Sequence, residues 1–146
     1  MIAASNDRSK TYKDDKFSFF CLSEFPKLLE VSPEIFKTIG LIDVVWFKKG
    51  TNKIVCAFEV EKSTSIYSGI LRLTDLSVSL PSHNSKLYIV IPNKREKELK
   101  IQLGRPSIKE NKLKILYILS SNLMENCDAM CKFGDDHTIL EKISKK

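Results

Sequence analysis

Three carboxylates stand inside two strongly apolar stretches of this chain, Leu41-Ile42-Asp43-Val44-Val45-Trp46-Phe47 and Ile54-Val55-Cys56-Ala57-Phe58-Glu59-Val60-Glu61. β-Branched and aromatic residues dominate both stretches, so each reads as a strand. Lys48-Lys49-Gly50-Thr51-Asn52-Lys53 between them reads as a hairpin turn. Side chains alternate across a strand, which sets Glu59 and Glu61 side by side on the face of Val55 and Ala57, with Ile54, Cys56, Phe58 and Val60 on the other. A three-residue loop, Gly50-Thr51-Asn52, sets Lys49 opposite Lys53 and, in the same antiparallel register, Asp43 opposite Glu59; a two-residue loop shifts the pairing by one. In the first register three acids converge, and like charges so close either take up protons or bind a hard cation such as Mg²⁺. The same residues have a structural reading: acids solvated at a strand end, Glu61 paired with Lys62, and Ser63-Thr64-Ser65 capping the next helix.

The elements around the acids follow from periodicity and punctuation. Ser32-Pro33-Glu34 is a helix start and Gly40 a stop, predicting a helix over 33–39. After the hairpin, Ile66, Tyr67, Ile70, Leu71, Leu73, Leu76, Val78 and Leu80 fall at helical spacing, predicting a helix over 64–80. His83 in Pro81-Ser82-His83-Asn84-Ser85 reads as a solvated loop residue, and Tyr67 as core packing. Lys86 to Ile91 and Lys114 to Leu119 read as strands buried on both faces, with a basic helix between them from Lys94 to about Leu103, capped by Asn93 and stopped by Gly104-Arg105-Pro106. Helices follow from Asn122, interrupted near Gly134-Asp135-Asp136; the Asp135-Asp136-His137 triplet offers metal ligands, but at a helix boundary its acids read better as caps. Phe17-Ser18-Phe19-Phe20 fits a short strand or a loop packed on the core. Hairpin pairing followed by helix-linked strands makes an α/β fold, a mixed central β-sheet flanked by helices, in a single domain spanning residues 1–146.

Composition narrows the function classes. No apolar run reaches membrane-spanning length and the start, Met1 to Arg8, turns polar at once, so the expectation is a soluble cytoplasmic protein without a membrane partner. Cys21, Cys56, Cys127 and Cys131 lack the spacing of a disulfide framework or a common zinc module and read as free thiols. The net charge is +6, and the segment from Lys94 to Lys114 carries eight basic against three acidic residues. A basic surface of that kind is the footprint expected for a polyanion, and solvated lysine-rich helices share it.

An acid early in one strand, a hairpin, and two polar residues two apart at the end of the next strand resemble the PD-(D/E)xK nuclease superfamily of restriction-endonuclease-like proteins. The stretch from Ala57 to Arg72, together with Asn6-Asp7-Arg8, Leu87-Tyr88-Ile89-Val90 and Arg105-Pro106, is similar to an uncharacterised bacterial and archaeal subgroup. The resemblance implies a restriction-endonuclease-like fold and a metal-dependent endonuclease that hydrolyses DNA phosphodiester bonds. Its cofactor would be Mg²⁺, with Mn²⁺ as a substitute, and a homodimer is one arrangement it implies. Residue by residue, Asp43 matches the metal-binding aspartate and Glu59 the second acid, with the Val60 carbonyl as a further ligand. Glu61 falls where most relatives carry lysine, and Lys62 beside it reaches the site only if the strand ends or bulges. The catalytic set implied is thus Asp43, Glu59, Glu61 and Lys62. Ser63, Thr64 and Ser65 at the helix start, then Arg72, Lys94, Arg95, Lys97 and Arg105, are the nucleic-acid contacts implied, with an Arg72–Asp75 pair as the other reading of that arginine. The missing lysine favours a second function, a catalytically inactive nucleic-acid-binding or dimerisation module of the same fold. A protein-interaction domain that ignores DNA is a third.

Overall fold

The computed structural model describes residues 2–4, 9–12, 14–28, 31–110, 113–128 and 138–146. The four apolar stretches singled out in the sequence are the central strands of one six-stranded sheet. Its strands are β1 (Ile2–Ala4), β4 (Val44–Phe47), β5 (Ile54–Val60), β6 (Lys86–Ile91), β7 (Ile115–Leu119) and β8 (Ser144–Lys145), in the spatial order β1-β4-β5-β6-β7-β8. β1, β4 and β5 pair antiparallel, β5, β6 and β7 parallel, and β8 closes the far edge antiparallel. A separate two-stranded ribbon joins β2 (Thr11–Tyr12) to β3 (Asp15–Lys16). The α/β class and the mixed sheet flanked by helices are as expected.

The parallel strands require crossovers, and helices supply them. α1 (Pro33–Ile39) leads into β4, α2 (Ile66–Ser79) links β5 to β6, and α3 (Glu96–Leu103) with α4 (Pro106–Glu110) links β6 to β7. Both crossovers run in the same direction along the sheet, so connections of one hand lie on one face. That face holds the larger core, where Ile39, Ile66, Ile70, Leu73, Leu76, Leu99 and Ile108 pack on Val45, Ala57, Leu87, Ile89, Ile91 and Leu119. On the other face Cys56, Phe58, Tyr88, Val90 and Ile118 meet Leu123 of α5 (Ser120–Glu125) and Leu140 of the helix Thr138–Ile143. β6 and β7 are buried on both faces, as their unbroken apolar runs predict. No helix among the described residues is long and apolar enough to cross a membrane.

The hairpin differs from its expected register near the turn and agrees with it at the far end. Lys48, not Lys49, stands opposite Lys53, donating its N–H to the Lys53 carbonyl at 2.9 Å, and Gly50 takes the left-handed φ of 76° within the turn. Phe47 pairs with Ile54, yet Trp46 pairs with Cys56, so Val55 is an extra residue in a bulge that shifts the ladder by one. Beyond it Val45 faces Ala57 and Val44 faces Phe58, the register that brings Asp43 level with Glu59. The bulge also breaks the alternation: Ile54 joins Ala57 on the helix-covered face, while Val55 lies with Cys56 and Phe58 on the opposite one.

Four local expectations are corrected. His83 is half-buried and accepts a hydrogen bond from the Ile54 amide at Nδ1, 3.1 Å away, so it anchors the start of β5. Asn93 does not cap α3; its amide reaches the Ser121 hydroxyl at 2.9 Å and ties together the segments that leave the C-terminal ends of β6 and β7. Phe17–Phe19 forms a 3₁₀ turn, the loop rather than the strand of the two readings, and Phe19 is 74% exposed instead of packed on the core. Tyr67 is partly exposed, with the Arg105 guanidinium over its ring at 5.1 Å. Cys21, Cys56 and Cys127 are thiols, not disulfide partners. Cys131, the Asn6-Asp7-Arg8 segment and the Asp135-Asp136-His137 triplet lie outside the described residues.

Candidate functional site

The C-terminal ends of the parallel strands and the N-terminal end of β4 lie at one edge of the sheet, where an open α/β sheet offers its crevice. Asp43 arrives there through a tight turn out of α1, in which the Ile42 amide donates to the Ile39 carbonyl at 3.1 Å and both isoleucines are buried. One residue before β4, the Asp43 carboxylate accepts the Val60 amide at 2.7 Å. Glu59 is the penultimate residue of β5 and Glu61 follows the strand; they are 0% and 1% exposed, the buried charged residues of the core. Buried carboxylates need compensation, and α2 supplies it.

Ser65 caps α2, accepting the Ser68 amide at 3.4 Å, and the Thr64 hydroxyl beside it donates to Glu61 Oε2. Two turns in, Arg72 forms a fork with Glu59, Nε to Oε1 at 2.8 Å and Nη2 to Oε2 at 2.7 Å, while the same Nη2 reaches Glu61 Oε1 at 3.4 Å. Gly69, one turn before Arg72, makes the approach of α2 to β5 feasible. A Cβ there would lie 2.5 Å from Glu61 Oε1 and 3.3 Å from the Glu59 Cβ. From the α3 side, Arg95 Nη1 donates to the Glu61 carbonyl at 2.8 Å and is itself held by Glu98.

Burial pushes the Glu59 carboxyl up to about 7; the Arg72 hydrogen bonds and charge pull it down, and the neighbouring Asp43 and Glu61 charges push it up again. The Arg72 guanidinium is correspondingly held above its ordinary value by its bonds to Glu59. An open cleft of about 490 Å³ lies before the cluster, lined by Asp43, Val60, Glu61, Thr64, Ser65 and Arg72, with Lys10 from the N-terminal region. Glu59 does not line it: the acid is fully buried, and Arg72, whose side chain is 26% exposed, stands at the cleft in front of it.

Of the residues expected at the site, the fold brings together Asp43, Glu59, Val60, Glu61, Thr64, Ser65 and Arg72, and Arg95 touches their edge. Lys62 and Ser63 are exposed and do not line the cleft, and Lys94, Lys97 and Arg105 sit on the surface of the α3 and α4 segment. Two features escaped the sequence reading. Arg72 binds Glu59 and Glu61 instead of Asp75 or solvent; being the one Lys or Arg between Lys62 and Lys86 marks the residue but not its partner. Gly69, a lone glycine inside a helical pattern, signals close backbone approach.

Asp43, Glu59 and the Val60 carbonyl are hard oxygen donors of the kind Mg²⁺ takes, with water filling the remaining positions. Their chemistry fits such an ion, and the carboxyl of Glu59 is raised first by its burial and then by the Asp43 and Glu61 charges beside it. Among the described residues no three acidic, histidine or cysteine side chains form a ready-made metal cage, and both Glu59 oxygens are engaged by Arg72.

A mixed α/β sheet with a carboxylate cluster at this edge is consistent with a restriction-endonuclease-like fold. The chain belongs to the family of the type II restriction enzyme NmeDI C-terminal domain, whose model matches residues 1–144. No curated protein and no solved structure gives a match.

Proposed function

We propose that this chain is a PD-(D/E)xK-type nuclease domain, with Glu61 in the position usually held by lysine, that hydrolyses DNA phosphodiester bonds using Mg²⁺, for which Mn²⁺ can substitute. The observation that carries this reading is the placing of Asp43 and Glu61 at one open cleft, with Glu59 buried behind Arg72 at its wall, in a member of a restriction-enzyme family. Asp43, Glu59 and the Val60 carbonyl would hold the ion, which when bound offsets phosphate charge and acidifies an attacking water. The chain's own groups do the positioning. Glu61, fixed by Thr64 and by Arg95 on its carbonyl, orients that water and takes its proton. Ser65 offers its hydroxyl to the phosphate at the cleft, while Lys94, Lys97 and Arg105 on the α3 and α4 segment meet the DNA backbone. A second copy of the chain would address the opposite strand.

Two observations favour the alternative, a binding module without catalysis: Arg72 already occupies both oxygens of Glu59, and Lys62 stays outside the cleft. Cleavage of supercoiled plasmid in Mg²⁺, Mn²⁺ or EDTA, comparing the native protein with Glu59→Gln, separates the two. Metal-dependent nicking that disappears in the variant supports the nuclease. Intact plasmid with both proteins, retarded equally on a gel, establishes the binding module instead.

A further inference from the structure

We propose that Arg72 is the resident cation of the carboxylate site, which a divalent ion enters by exchange with its guanidinium, so that Arg72 sets how tightly metal binds. The inference rests on the nuclease reading. A carboxylate at the end of a buried strand cannot stay charged without a counter-ion, and in this fold the counter-ion is built into the crossover helix. Arg72 spends Nε and Nη2 on the two oxygens of Glu59 at 2.8 and 2.7 Å and reaches Glu61 only at 3.4 Å, so its grip is centred on Glu59. Glu59 has no exposure of its own, whereas Arg72 lines the cleft with a quarter of its side chain open to water. An ion arriving through the cleft therefore meets the guanidinium before the acid.

Arginine does not lose its proton, so it leaves Glu59 as a cation or not at all. Asp43 shapes the exchange. One of its oxygens is bound to the Val60 amide, and the carboxylate as a whole lines the cleft, where it can take the ion first. A released guanidinium would stay at the cleft, in reach of a phosphate. Binding of metal and freeing of a phosphate-binding group are then one event.

The test is Mn²⁺ affinity, read from the electron paramagnetic resonance of the free ion, for the native protein, Arg72→Lys, Arg72→Gln and the double variant Arg72→Gln/Glu59→Gln. Lysine keeps the charge but lacks the fork, so affinity should rise from native to Arg72→Lys to Arg72→Gln, by about tenfold or more overall, and the gain should vanish in the double variant. If Arg72→Gln does not fold alone, Mn²⁺ should restore its fold. Affinities in Arg72→Lys and Arg72→Gln that equal or fall below the native value, or an Arg72→Gln that Mn²⁺ fails to refold while Arg72→Lys binds as the native does, would overturn the exchange. A native protein that binds Mn²⁺ and cuts DNA while the Arg72 variants bind no tighter defeats this inference alone. No Mn²⁺ binding by any of the proteins, with no cleavage, defeats the nuclease reading along with it.

Discussion

Glu59 gives up its proton late because water cannot reach it and two other acids stand near; Arg72 offsets only part of that. In the unfolded chain the same carboxyl titrates near its ordinary 4.5, and in the fold at about 7. Between those values the native state binds more protons than the unfolded one, so the Glu59 contribution is fully present below pH 4.5 and is lost as pH rises through 7. The size is on the order of 3 kcal/mol at 1.36 kcal/mol per unit. Glu59→Gln mimics the protonated form at every pH. In metal-free urea titrations, native stability minus that of Glu59→Gln should fall from pH 4.5 to 7.5; a flat difference would mean that Glu59 is charged throughout. Glu34, Glu96 and Glu98, held below their usual range, act in the opposite sense in both proteins and cancel. At this scale the acids were legible because charge inside an apolar strand is conspicuous. The partner of Arg72 was not, since a long side chain on a helix chooses its contact only after the helix has docked.

Docking of α2 on β5 decides whether the site exists, and Gly69 decides how close the two come. Gly69→Ala adds helix propensity of about 1 kcal/mol and adds a methyl 2.5 Å from Glu61 Oε1. The Glu61 carboxylate is pinned by Thr64 and Arg72 and cannot swing aside freely, and the Glu59 Cβ must give way as well, so the steric cost, toward the upper part of about 1–3 kcal/mol, exceeds that gain; the variant should unfold at lower urea and, on the nuclease reading, cut less. A Gly69→Ala protein as stable as the native one would show that the glycine merely sits in the helix. Elements with punctuation were read well: Ser32-Pro33 and Gly40 bound α1 as expected, and α2 and β6 fell within two residues of their predicted ends. The edge strands β1 and β8 were missed because two or three residues carry no period. The hairpin gave the right partner for Asp43 by a wrong turn, since nothing in an apolar run marks the Val55 bulge that restored the register.

For the molecule as a whole, the basic segment continues directly from β6, so its first charges, Lys94 to Lys97, lie at the edge of the sheet that holds the cleft. Lys94 and Lys97 are exposed and ready for phosphates, whereas Arg95 is committed to Glu98 and to the Glu61 carbonyl. Replacing Lys94 and Lys97 with alanine should weaken DNA binding evenly across sequences and lower the slope of log affinity against log salt by about 0.9 per lost contact. An unchanged slope would move the DNA elsewhere on the surface. Arg95→Ala should behave differently, disturbing Glu61 and therefore cutting more than binding.

The hydrogen bond from the Val60 amide to the Asp43 carboxylate has a spectroscopic side. At 2.7 Å and to a carboxylate acceptor, this proton belongs far downfield in an amide spectrum. Any event that draws Asp43 toward the cleft loosens it. A single resonance, at the end of the strand that carries the acids, thus reports on the state of the site without a ligand or substrate that absorbs light.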